Sequence, residues 1–177
     1  MKKAIVFLFA AMGKLAFAQS QYKPVDNGSL VQFKIKNFGF SVPGSFTGLS
    51  GRIQFDPAKL AEASFDVSID VNTVNTDNEM RDNHLRKFTY LNVKDYPRIR
   101  LLSDRITNTA QKGVFLFSGR LTIKNQTKNI SFPFTTEELN GGYHFNGVFS
   151  INRKDFDVGG TSTISDNVEI SLSVIAK

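Results

Sequence analysis

The residues with the means to do chemistry gather in one stretch, 76–99, which reads TDNEMRDNHLRKFTYLNVKDYPRI. Helical spacing of about 100° per residue puts Met80, Arg81, His84, Leu85 and Phe88 on one arc with Asp77. Glu79, Asp82, Asn83 and Arg86 fall on the opposite side. An imidazole beside carboxylates is the raw material for proton transfer or for a metal ligand. His84 with Asp77 or Asp82 nevertheless supplies too few ligands for a metal site. His144 alternates with Tyr143 and Phe145 and is expected to face solvent. Neither a nucleophile elbow nor a phosphate loop occurs. No catalytic residue, metal or cofactor is assigned, and the chain reads as a non-enzyme. Arg81 has two uses open to it. One is a local pair with Asp77, a turn earlier in the favourable acid-then-base order. The other is the polar head of an amphiphile whose tail lies deeper.

The elements that would position this stretch are strands. Thr76 and Glu79 stand at the spacing of a capping box, which sets the expected helix start. Pro97 ends the irregular segment and pushes Tyr96 into extended conformation. Around this one short helix the apolar period is two. Val31, Phe33 and Ile35 alternate with Gln32, Lys34 and Lys36, and Phe65, Val67, Ile69 and Val71 with Asp66, Ser68 and Asp70. Phe38-Gly39-Phe40 and Pro43-Gly44 read as breaks, and a further strand begins near Leu49. Hairpin signals stand at residues 124–127 and at Asn140-Gly141-Gly142. Pro133 cannot donate to a ladder and should face an edge or a bulge. Roughly eight short strands with turns between them make an all-β barrel or sandwich. No repeat or linker suggests a second domain.

Residues 1–18 read as a signal peptide, with Lys2 and Lys3, an apolar run, and Ala16-Phe17-Ala18 as the cleavage site. The run is too short for a membrane span. The mature domain is then 19–177, with no transmembrane segment, in the periplasm or outside the cell. The formal charge of +6 loses Lys2, Lys3 and Lys14 with the peptide. What is left is too small an excess for a nucleic-acid binder. With no cysteine, the fold must rely on burial. An outer-membrane barrel would share the alternation, but it wants strands of about 9–11 residues. It would also want girdles of Trp and Tyr, and this chain has no tryptophan and 4 tyrosines.

Several landmarks resemble the YceI-like family of secreted bacterial proteins. They are Asp56-Pro57, Arg81-Asp82-x-His84-Leu85, Tyr96-Pro97-x-Ile99, Gly119-x-Leu121-Thr122-Ile123 with Thr127-Lys128, and Asn152-Arg153-x-Asp155-Phe156. Each is weak alone; their order around one helix makes the set specific. The resemblance implies an antiparallel eight-stranded lipocalin-like barrel with a helix near its mouth. It also implies an internal cavity for a polyisoprenoid or similar amphiphile. Two departures stand out: Phe88-Thr89-Tyr90-Leu91-Asn92-Val93 after the helix, and Asp157 where similar proteins often have glycine. The expected ligand-binding residues are Phe33, Phe46, Ile53, Met80, Arg81, His84, Leu85, Phe88, Ile99, Phe117, Phe149 and Phe156. The expected partner is a long-chain isoprenoid or a fatty-acid-like lipid, carried or sequestered in the barrel. A ligand-free structural or stress-response domain and a lipid-modifying enzyme are the alternatives. A homodimer stays open. Asn152-Arg153-Lys154-Asp155 reads as a turn whose Arg–Asp contacts join two strands rather than as a ligand clamp.

Overall fold

Alternation of apolar and polar residues extends further along the chain than its clearest runs. The computed structural model describes residues 21–160 and 163–177. In chain order its strands are β1 (Gln21–Tyr22), β2 (Pro24–Asn37), β3 (Phe40–Gln54), β4 (Ser64–Asn75), β5 (Arg98–Asn108), β6 (Val114–Ile123), β7 (Gln126–Leu139), β8 (Gly142–Asn152) and β9 (Ile164–Ala176). A helix, α1 (Glu79–Leu85), stands between β4 and β5, with one-turn 3-10 helices at Leu60–Glu62 and Arg153–Phe156. The signal-peptide reading of residues 1–18 lies outside the described residues.

The strands are antiparallel neighbours in the order β3-β2-β9-β8-β7-β6-β5-β4, and β3 pairs back onto β4. β2 to β9 thus close into an eight-stranded barrel, which leaves no free edge running its whole length. β1 extends the wall by pairing Gln21 with Gln54. Register shifts in β2, β3 and β5 bend the strands around the barrel. Asp26 accepts from the backbone N–H groups of Gly48 (3.1 Å) and Leu49 (2.9 Å), which the irregularity in β3 would otherwise leave without partners.

Pro43-Gly44 does not break the chain; both residues lie inside β3, opposite Lys34 and Phe33 of β2. β4 joins β3 only from Ser45 onward, so at Pro43 the strand has one neighbour and the missing donor costs no ladder bond. Gly44 has its own reason to be there. The Phe33 ring lies across it so closely that a Cβ would stand 2.2 Å from a ring carbon. Pro133 ends the ladder between β7 and β8, whose pairing runs from Phe134↔Gly147 to Leu139↔Gly142. Toward the mouth these two strands part, and the seam is filled from within by Phe156, which is 1% exposed and packs with Leu121, Ile123 and Phe149.

Helix α1 starts later than the Thr76/Glu79 spacing suggests. Asp77 takes a left-handed backbone (φ 56°), and Asn78 is the cap, its side chain accepting from Arg81 N at 2.9 Å. Thr76 is instead buried, its N–H and hydroxyl both donating to Asp82 Oδ1 at 2.9 and 2.5 Å. That bond pulls Asp82 inward and turns the helix on its axis. Met80 ends 85% exposed, and Phe88, beyond the helix end, 77%. The arc expected to face the barrel is therefore split, with Leu85 alone among its apolar members packed inward.

Candidate functional site

One end of the barrel is solid. Phe55 sits at the centre of a ring cluster, edge-on to Phe65, Phe115, Phe134, Tyr143 and Phe145 at centroid distances of 5.2–6.2 Å. Such contacts add about 0.5–1.5 kcal/mol each beyond burial. Burial also pushes the Tyr143 phenol above its ordinary pKa. Above this floor the rings stack: Phe117 on Phe132 (4.9 Å) and Phe132 on Phe149 (4.3 Å).

The other half holds a cavity of about 150 Å³. Phe33, Phe46, Ile53, Ile99, Phe117 and Phe149 line it, with Val67, Ile69, Ile170 and Leu172 among others. Its polar lining residues are Gln32, Ser68 and Asn146, and among the described residues no charged side chain lines it. An uncharged wall of this kind offers an apolar guest dispersion contact. Sequence reasoning missed most of the aliphatic lining; the alternation in β4 and β9 carried the signal, because inward positions of a closed barrel border its interior.

The mouth is covered by two connections. Leu85 and Leu91, from the segment between β4 and β5, pack with Val71, Val74, Phe33 and Phe46, and Val158 joins them from the connection between β8 and β9. Gly159 N donates to Thr89 O at 2.9 Å and ties the two connections together. Arg153 holds the second connection in shape. It is 3% exposed and donates to the carbonyls of Ser165 (3.0 Å), Val158 (2.8 Å), Gly159, Gly160 (3.1 Å) and Ile164 (3.3 Å), and to Asp166 Oδ1 at 3.2 Å. The Arg153–Asp166 contact joins the turn to β9, so the partner aspartate is Asp166 of β9 and not the motif's own Asp155. Asp157 adopts φ 53°, a left-handed conformation that glycine takes at no steric cost. Here its carboxylate accepts from Gln126 Nε2 (2.8 Å), and its carbonyl accepts from Lys124 Nζ (2.6 Å).

Six of the expected ligand-binding residues lie elsewhere than on the cavity wall. Met80 and Phe88 face solvent for the reason given above. Leu85 belongs to the cover and Phe156 to the seam between β7 and β8. Arg81 does find a local use, but with Thr76 in place of Asp77: Nε donates to Thr76 Oγ1 (2.7 Å) and Nη2 to Thr76 O (2.6 Å). The left-handed turn at Asp77 brings Thr76 to the guanidinium. His84 is exposed and lies against Tyr90, with ring centroids 4.7 Å apart. His144 is half-buried and shares a 2.7 Å hydrogen bond with Ser173, so it is less open to solvent than alternation suggested. Among the described residues, no group of three or more His, Cys, Asp or Glu side chains is placed to hold a metal.

Outside the barrel, Arg98 laces β5 to β3 and β4 by donating to Gly48 O (2.9 Å), to Ser50 Oγ and to Ser68 Oγ (2.8 Å). A separate open groove of about 440 Å³ beside residues 60–63 is bordered by Asp104, Arg105 and Thr107 and lies away from the barrel interior.

Comparison with known proteins accords with this architecture. The model of the YceI-like domain matches residues 22–176. A UPF0312 protein of Yersinia enterocolitica is 32% identical over 165 residues, covering 88% of this chain and 85% of that protein. The crystal structure of BcnA from Burkholderia cenocepacia is 28% identical and covers 85% of this chain and 98% of its own, with a TM-score of 0.80. A polyisoprenoid binding domain from Saccharophagus degradans, implicated in plant cell wall breakdown, shares the fold at 16% identity and a TM-score of 0.71. That alignment covers 88% of this chain and 97% of that domain.

Proposed function

The chain belongs to the YceI-like family, and on that premise we propose that it binds an apolar chain, an isoprenoid or a similar amphiphile, in the hollow half of its barrel. The observation that carries this reading is the uncharged cavity between the ring-packed floor and the two-part cover. The ligand named for the Saccharophagus degradans domain supports the choice of chemical class. Burial supplies the affinity. Each methylene removed from water contributes about 0.8 kcal/mol, and no reaction is required of the protein.

A space of about 150 Å³ is of the size that holds one benzene-like group. A long chain therefore needs the cover to swing outward, or the Phe117–Phe132–Phe149 stack to turn. The same modest volume favours a second reading, a barrel that carries no ligand and serves as an interaction domain. The signal-peptide pattern of residues 1–18 supports work in the periplasm or outside the cell. Native mass spectrometry of freshly purified protein, followed by organic extraction, tests the first reading. An adduct that extracts as a long-chain lipid is the expected result. An empty barrel that also takes up no added isoprenol or fatty acid would remove the reading and leave the second.

A further inference from the structure

The mouth rim carries four apolar side chains with no use in the fold. Phe38 is 73% exposed, Phe40 78%, Met80 85% and Phe88 77%. Phe38 is the most telling. With Gly39 it forms the two-residue turn between β2 and β3, both residues in left-handed conformation at φ 48° and 84°. Turns of this kind favour Asn, Asp or Gly at their first central position, and a bulky side chain there is strained. Packing offers nothing to offset that strain, since the ring stands in solvent.

The four side chains share one end of the barrel. Asn37, next to Phe38, pairs with Ile164 and accepts from Thr163 Oγ1 at 3.4 Å. Gly159, in the same connection between β8 and β9, is bonded to Thr89, next to Phe88. Met80 stands on α1, in the segment that covers the cavity. Lys36 and Lys87 flank the rings, are exposed, and hold no ion pair with a carboxylate among the described residues. Glu79, beside Met80, is exposed as well.

We propose that this rim docks on a lipid surface, with Phe38, Phe40, Met80 and Phe88 set between headgroups and acyl chains. Four exposed side chains on two separate segments suit a fluid phase that closes around each. The unpaired Lys36 and Lys87 complement anionic headgroups. The rim also surrounds the cover of an uncharged cavity, so a bilayer held there meets the barrel interior along an apolar path. The choice of a bilayer rests on the lipid-binding reading of that cavity.

The full chain as purified is tested by co-sedimentation with vesicles of phosphatidylethanolamine and phosphatidylglycerol, beside the double variant Phe38→Asn/Phe40→Thr. Asn suits the left-handed turn and Thr suits a strand, so the variant should melt no lower than wild type. The expected result is vesicle binding by wild type that falls by roughly tenfold or more in the variant, with the content of extracted lipid unchanged. Absence of binding by wild type, or equal binding by both proteins, would overturn the proposal. So would a wild-type dimer in sedimentation velocity that the variant loses while both bind vesicles alike, because it would give the rim to a second copy of the chain. If wild type binds vesicles but yields no lipid on extraction and takes up none, the docking surface stands and the carrier reading fails.

Discussion

The floor and the mouth of this barrel are held by different forces. At the floor, Phe55 and its neighbours are joined by ring-to-ring contact and burial, with hardly a polar side chain among them. At the mouth the apolar contacts of Leu85, Leu91 and Val158 are supplemented by hydrogen bonds between charged side chains and backbone: Arg153 donates to successive carbonyls, Thr76 N–H donates to Asp82, and Arg81 donates to Thr76 O. Burial by rings is non-directional and cumulative, so the floor resists change as a unit. Hydrogen bonds to irregular backbone are directional and contribute about 1 kcal/mol each, more when charged. The cover is therefore expected to open at a lower cost than the floor, as the proposed binding of an apolar chain would need.

Four substitutions probe that division, in decreasing order of effect. Phe55→Ala removes the hub of the floor, where the side chain is 2% exposed. It should cost about 3–5 kcal/mol, read as a fall in the chemical denaturation midpoint, while uptake of an added isoprenol by the protein still folded matches that of wild type. Loss of uptake in step with stability would show that floor and cavity are one unit. Arg153→Met leaves several carbonyls of the β8–β9 connection without a donor. The expected cost is about 2–3 kcal/mol, with hydrogen exchange accelerated first in residues 153–160 and 85–91. Uniform acceleration over the whole barrel would contradict the idea of a separately held cover.

Phe33→Ala opens the cavity wall where the ring crosses Gly44 and borders existing space. Its stability cost should stay near 1–2 kcal/mol, while affinity for an added isoprenol changes by roughly tenfold. A large loss of stability with unchanged affinity would move Phe33 from the site to the core. The smallest effect lies on the outer wall. Asp66 accepts two hydrogen bonds from Arg100 (2.7 and 2.8 Å), and the guanidinium holds its carboxyl below the ordinary carboxylate range. A carboxyl lowered by folding adds stability above its unfolded pKa, and loses it as pH falls through the lower folded value. Both side chains are half exposed, so the pair contributes less than about 1 kcal/mol. Asp66→Asn should melt slightly lower than wild type at neutral pH, and the two curves should converge in strong acid.

Much of this could be read from the chain before folding. Alternation along β4 and β9, the turn residues at Asn140-Gly141-Gly142 and the ordered landmarks from Asp56-Pro57 to Asn152-Arg153 pointed to a closed antiparallel barrel of this family. Phe33, Ile53 and Phe149 were legible as interior positions because a strand's period of two is a local property that closure preserves; Phe46 was not, because the register shifts in β3 change the phase between it and Ile53.

The helix was not legible in the same way. Its rotation depends on where it begins, and that was decided by Asp77 turning left-handed and by Asp82 reaching back to the buried Thr76. Moving the cap from Thr76 to Asn78 changes how so short a helix meets the barrel, and Met80 and Phe88 went outward with it. Arg153 shows the same limit. Its sequence context suggested a turn, but the carbonyls of residues 158–160 and 164–165 converge on it only once β8 and β9 are paired. Local periodicity determined which faces are apolar, since each choice involves only neighbours along the strand. Tertiary structure decided how full the barrel is and what covers it, because both depend on side chains from strands far apart in sequence meeting in one interior.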